Sequence, residues 1–199
     1  MKRRVILIAC AMALSSCAQI TVNHYLPSGA GELRNRSLCT LGLRDELEVP
    51  LGPSIKVRVW GGDPDTTSLS ARVQFLVPEG QTMRLTSNRF LLFTKAAAEP
   101  AELFTTGITT ACPAGVASCR TRLAPTDWLE GGLMPAANVL VAPEPKTYRM
   151  DVAVPVPPGE TYTLKLPDVE LTGRVVPGPT VRFDKTAATA ATNLGVCQG

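Results

Sequence analysis

The chain has 199 residues, a formal charge of +3, 45% hydrophobic residues and only 5% aromatic ones. Three of its cations, Lys2, Arg3 and Arg4, precede an apolar run from Val5 to Leu14, and without them 17 basic residues face 17 acidic ones. That balance excludes a basic face for nucleic acid, and the scarcity of aromatic rings argues mildly against a stacking platform for sugars or bases.

A basic head, about ten apolar residues and a small-residue ending make an export signal. The run is too short to span a bilayer, which takes about 20 residues. Ser16-Cys17-Ala18 before Gln19 fits a small-x-small cleavage site, which would release a soluble periplasmic or secreted chain. The ending Leu14-Ser15-Ser16-Cys17 also resembles the lipobox of bacterial lipoproteins, with Leu14 three residues before the cysteine and Ser16 just before it. Cys10 follows Ile8-Ala9 but lies inside the apolar core, so it is the poorer match. The resemblance implies a signal peptide over 1–16 and a lipidated tether over 17–30. Cys17 would then carry a diacylglycerol and an amine-linked acyl chain, making the membrane a partner. One acyl chain anchors marginally, whereas two or more anchor stably. Ala18, rather than Asp, follows the cysteine, which by analogy with sorting in enteric bacteria implies the outer membrane.

Residues 18–30 read as a tether that turns into an edge strand. Ser54 to Trp60 places Ile55, Val57 and Val59 on one face, and Ala71 to Val77 does the same with Val73, Phe75 and Val77. Met83 to Leu85 and Arg89 to Phe93 follow a Pro-Glu-Gly turn. Lys95 to Leu103 has the composition for a turn or two of helix, cut by Pro100. Tyr148 to Val156 aligns Met150, Val152, Val154 and Val156, Thr161 to Leu166 follows Pro157-Pro158-Gly159, and Val181 and Phe183 end the last apolar stretch. The tail Thr186 to Thr192 is weakly structured by composition, unless Cys197 pins it. Period-two alternation broken by Pro and Gly predicts an all-β, antiparallel, immunoglobulin-like β-sandwich over 31–199. The alternative is two small tandem sandwiches, about 31–105 and 106–199.

An internal repeat of about 80 residues, the length of a small domain, accompanies the pattern. Val77-Pro78-Glu79-Gly80-Gln81-Thr82-Met83-Arg84-Leu85 matches Val156-Pro157-Pro158-Gly159-Glu160-Thr161-Tyr162-Thr163-Leu164 further along the chain. Aligned without gaps from Val73 to Phe104 against Val152 to Phe183, about nine of 32 positions are identical. The reading is a strand, a Pro-x-Gly turn and a return strand used twice; convergence on a favourable hairpin turn is the alternative.

Beyond Cys10 and Cys17, four cysteines remain: Cys39, Cys112, Cys119 and Cys197. An even count in an exported chain reads as a disulfide framework with three connectivities. The turn-rich segment between Cys112 and Cys119 favours Cys112–Cys119, leaving Cys39–Cys197. The chain-entropy model assigns about 2.5 kcal/mol to the short ring and about 5 kcal/mol to the long one. A metal site is disfavoured by this spacing and by the single histidine, His24.

No catalytic motif emerges. Gly-x-Ser-x-Gly and Ser-x-x-Lys are absent, and a serine triad would have to use His24, which reads as a solvated residue of the tether. Gly29-Ala30-Gly31 lacks the third glycine of a dinucleotide fingerprint, where Arg34 stands. Asp63-Pro64-Asp65 has Ser68 and Gln74 where a calcium loop needs Gly and Glu. The acidic clusters Asp45, Glu46, Glu48 and Asp168, Glu170 read as solvated. Trp60 and Trp128, the two tryptophans, are the candidate partner anchors, with core or semi-buried packing as the more ordinary reading of each. The expected function is a non-enzymatic, cofactor-free envelope protein with a structural or protein-interaction role, its partner another envelope protein, with no nucleic acid. The alternatives are a glycan, peptidoglycan or small-molecule binding module and, behind it, an unrecognised hydrolase.

Overall fold

The computed structural model describes residues 19–35, 43–111, 121–134, 144–157 and 159–191. All regular structure in these segments is β, in antiparallel sheets. One sheet has seven strands in the order β10 (Arg122–Leu123), β9 (Ile108–Thr110), β12 (Lys146–Val154), β5 (Leu69–Val77), β4 (Lys56–Trp60), β3 (Glu46–Pro50) and β2 (Glu32–Arg34). A five-stranded sheet runs β1 (Gln19–Ser28), β16 (Thr180–Ala191), β13 (Tyr162–Lys165), β7 (Arg89–Thr94) and β8 (Ala101–Phe104). A third sheet runs β11 (Leu129–Glu130), β6 (Thr82–Leu85), β14 (Val169–Leu171) and β15 (Arg174–Val176).

Alternation sets the faces. Ala71, Val73, Phe75 and Val77 of β5 point inward with Tyr148, Met150, Val152 and Val154 of β12 and Val57 and Val59 of β4. From the other sheets come Phe90, Leu92, Tyr162, Leu164, Val181 and Phe183, and Met83, Leu85, Leu129 and Val169, all in the same apolar core. Each such side chain, fully buried, contributes about 1.5–3 kcal/mol, which makes this sandwich-like core the dominant stabilising term. Every sheet draws strands from both halves of the chain. β5 pairs with β12, β7 with β13 and β6 with β14.

Two local expectations are corrected. Lys95 to Leu103 forms no helix: Ala101–Phe104 is a strand, because Pro100 blocks a helical turn and β7 offers a free edge. The Ala/Thr-rich tail is not weakly structured as far as Ala191. It continues β16 and pairs with β1 from Ser28↔Arg182 to Gln19↔Ala191, and the partner strand supplies the order its composition lacks.

Candidate functional site

Trp128 follows a turn in which the Asp127 amide donates to the Ala124 carbonyl at 3.1 Å and the Asp127 carboxylate accepts from the Ala124 amide at 2.8 Å. Leu129 then enters the core opposite Met83, so its neighbour Trp128 is directed outward and is 44% exposed. Gly131 closes the approach: its amide donates to the Gln81 carbonyl at 2.8 Å, and a Cβ there would lie 1.8 Å from the Pro78 oxygen. Gly132 donates to Val77 at 3.2 Å and accepts from Lys146 at 2.8 Å, which ties this arm to the ends of β5 and β12.

Between the arm and the end of the seven-stranded sheet lies a groove of about 420 Å³. Trp128, Leu123, Leu133 and Met134 give it apolar walls, and Glu130 and Lys146 give it opposite charges. Tyr148 is buried beneath, its hydroxyl donating to the Glu130 carbonyl at 2.7 Å. The Lys146 ammonium sits 5.2 Å from the Tyr148 ring centroid, and the Arg84 guanidinium 4.8 Å from that of Trp128. Arg84 is itself held by Glu170 at 2.6 Å, so the cation–π contact fixes the indole from a fastened base. Neither the Glu130 carboxylate nor the Lys146 ammonium has an ion-pair partner among the described residues. The groove thus combines an exposed tryptophan, exposed Leu133 and two opposite charges with no ion-pair partner among the described residues.

The other sequence candidates fall elsewhere. Trp60 is half-buried at the opposite end of the sheet, beneath the Arg72 guanidinium at 5.2 Å. It lines a recess of about 150 Å³ with Val22, His24, Asp45 and Asp63. His24 is a half-buried residue of β1, not a solvated one, and its Nδ1 has no hydrogen-bond partner among the described residues. Among the described residues no group of three potential metal ligands occurs.

The acidic clusters are not simply solvated, which corrects the sequence reading. Asp45, Glu46 and Glu48 are buried. Glu48 lies opposite Arg58 on β4, 2.8 Å from it and 2.8 Å from Lys56, with Arg34 at 3.2 Å. Burial opposes its ionisation, but the hydrogen bonds from Lys56 and Arg58 and the charges of Arg58 and Arg34 hold its carboxyl at about 2. Asp168 accepts from the Gly178 amide at 3.0 Å, and Glu170 is engaged by Arg84. These carboxylates have structural partners.

Sequence reasoning reached Trp128 but not Leu133, Glu130 or Lys146. Lys146 is remote from Trp128 along the chain, and only the pairings of β11 with β6 and β12 with β5 bring them together. The lipidation candidate Cys17 and the disulfide candidates Cys39, Cys112, Cys119 and Cys197 lie outside the described residues. No protein-family model matches the chain, and no curated protein or solved structure matches it.

Proposed function

We propose that this chain is a lipid-anchored protein of the bacterial cell envelope, held at the outer membrane through Cys17, that binds a segment of another envelope protein in the Trp128 groove and performs no catalysis. The observation that carries the reading is the groove itself. Tryptophan is among the residues that dominate binding energy at interfaces, and here it stands exposed beside Leu133 and Met134 with charges of both signs at hand. Anchoring adds effective concentration, because it confines the groove to the space beside the membrane.

The mode is a side-chain groove in preference to strand addition. Among the described strands the sheet edges are short or carry a proline: β2 is Glu-Leu-Arg, β10 and β11 have two residues each, β15 has three and β8 four, and β1 carries Pro27. Exposure of Trp128 beside a concavity also favours the second reading, a glycan or small-molecule site. The lining supports a protein segment better, since among the described residues it holds no Asn, Gln or Asp for sugar hydroxyls and one exposed aromatic ring.

The sandwich, within this reading, is immunoglobulin-like only in class and descends from a duplicated unit. Support comes from pairing: β5 lies against its repeat equivalent β12, and β6 with β14 mirrors β13 with β7.

The test is photo-cross-linking in living cells, with benzoylphenylalanine at Leu133 and, as a control, at Val175, both exposed. A discrete protein adduct from Leu133 alone is expected. Adducts to glycan alone would favour the second reading, and identical patterns from both positions would remove the groove from consideration.

A further inference from the structure

We propose that the anchored domain stands on a short, braced β-ribbon with its Trp60 end toward the lipid surface and the Trp128 groove directed away from it. The inference rests on the reading of Cys17 as acylated.

Beyond Phe183, where pairing with β13 ends, β16 has β1 as its strand partner out to Ala191. The resulting ribbon carries no Asp, Glu, Lys or Arg over residues 19–24 and 186–191, so nothing in that stretch repels an anionic lipid surface. It is fastened to the domain well along its length. The Asn23 amide donates to both oxygens of Asp65 at 3.0 and 3.1 Å, and Lys185 lies 3.9 Å from the same carboxylate. The buried Tyr25 hydroxyl donates to the Glu160 carbonyl at 3.2 Å and accepts from the Gly159 amide at 3.0 Å. Val22 shares its recess with Trp60 and Pro64. Cys17 precedes Val22 by five residues, which span at most about 18 Å even when fully extended. A flexible spacer does not fit into that length.

The brace and the groove occupy opposite ends of the central strands. Trp60 lies opposite Arg72, and Arg72 opposite Asp151, near the Val154 end of β12. The groove is lined by Lys146 and Tyr148 at the other end. Five residue steps from Lys146 to Asp151, which is level with Trp60, cover about 17 Å. The groove's occupant therefore approaches from the aqueous space beyond the lipid surface, and is not a bilayer-embedded segment.

The two tryptophans serve as gauges. Full-length protein from its host membrane, in phosphatidylethanolamine–phosphatidylglycerol vesicles containing dansyl-labelled headgroups, is measured as Trp128→Phe and as Trp60→Phe, with Trp60→Tyr replacing the latter if it does not fold. Energy transfer several-fold greater from Trp60 than from Trp128 is expected. A Gly/Ser insert of about eight residues between Ala18 and Gln19, flexible by composition, should erase the difference. Intact mass is taken on the same samples. An unacylated chain overturns the anchor and the stalk together. An acylated chain with equal transfer, or with more from Trp128, overturns the stalk alone.

Discussion

Arg72 and Asp151 stand directly opposite each other on β5 and β12, joined at 3.1 Å, and the interval between them along the chain is that of the proposed internal repeat. On that proposal each is its partner's counterpart, and a pseudo-twofold axis through the pair would exchange the two strands. Asp151 also accepts from Arg149 at 2.7 Å. The pair is partly exposed, so Asp151→Ala should cost about 1 kcal/mol or less, and the cost should shrink in high salt. Urea denaturation at low and high ionic strength checks this; a loss of several kcal/mol would show the pair to be integral to the core.

Glu48 should dominate the acid limb of stability. Its folded-state carboxyl is held at about 2, below its ordinary value of 4.5. The stabilisation is therefore fully present above about pH 4.5 and is lost as pH falls toward about 2. Its size is about 3 kcal/mol at most. Glu48→Gln should lower stability near neutrality by about 2–3 kcal/mol and flatten the profile between those pH values. Denaturant titrations across that range, wild type against variant, decide it.

The fold was legible wherever alternation was clean. Val73, Phe75 and Val77, or Met150, Val152 and Val154, declare a buried face by residue type alone. The short strands were not legible, because their character comes from neighbours. β3 begins Glu-Leu-Glu, and its acids are buried only because Arg58, Lys56 and Arg34 from the adjoining strands meet them. β16 beyond Lys185 is Ala and Thr, ordered by β1 from the far end of the chain. The groove was half legible: Trp128 is conspicuous as a rare residue, whereas Lys146 and Leu133 gain meaning only through long-range pairing.

Gly131→Ala should damage the groove's frame. The added methyl would collide with the Pro78 and Gln81 carbonyls, which are backbone and cannot swing aside. Displacing β11 also loosens the Tyr148 hydrogen bond to Glu130. A cost of about 1–3 kcal/mol is expected, with a change in Trp128 fluorescence. Gly80→Ala is the contrast: it meets no neighbouring atom, but its φ of +76° makes it a purely local penalty of about 1 kcal/mol that leaves Trp128 emission unchanged. Measuring both in a Trp60→Phe background separates frame damage from loss of stability.

Trp128→Ala should separate binding from folding. The indole is 44% exposed and its neighbour Leu129 carries the burial, so removing the ring forfeits mainly the Arg84 contact. The stability cost is about 1 kcal/mol, in line with a partly exposed cation–π pair. Binding should suffer far more, since an exposed tryptophan at an interface commonly carries about 2 kcal/mol or more, roughly thirtyfold or greater in affinity. Lys146→Glu would place like charge beside Glu130 and give up the cation–π contact with Tyr148, and should weaken an occupant that uses both signs. The measurement is recovery of the Leu133 photo-adduct in each variant, alongside its denaturation midpoint. Adduct lost while the midpoint holds assigns the groove as the binding site. Adduct retained in both variants would mean that Leu133 merely neighbours the contact, and the exposed Phe93 and Phe104 of β7 and β8 would be the next surface to probe.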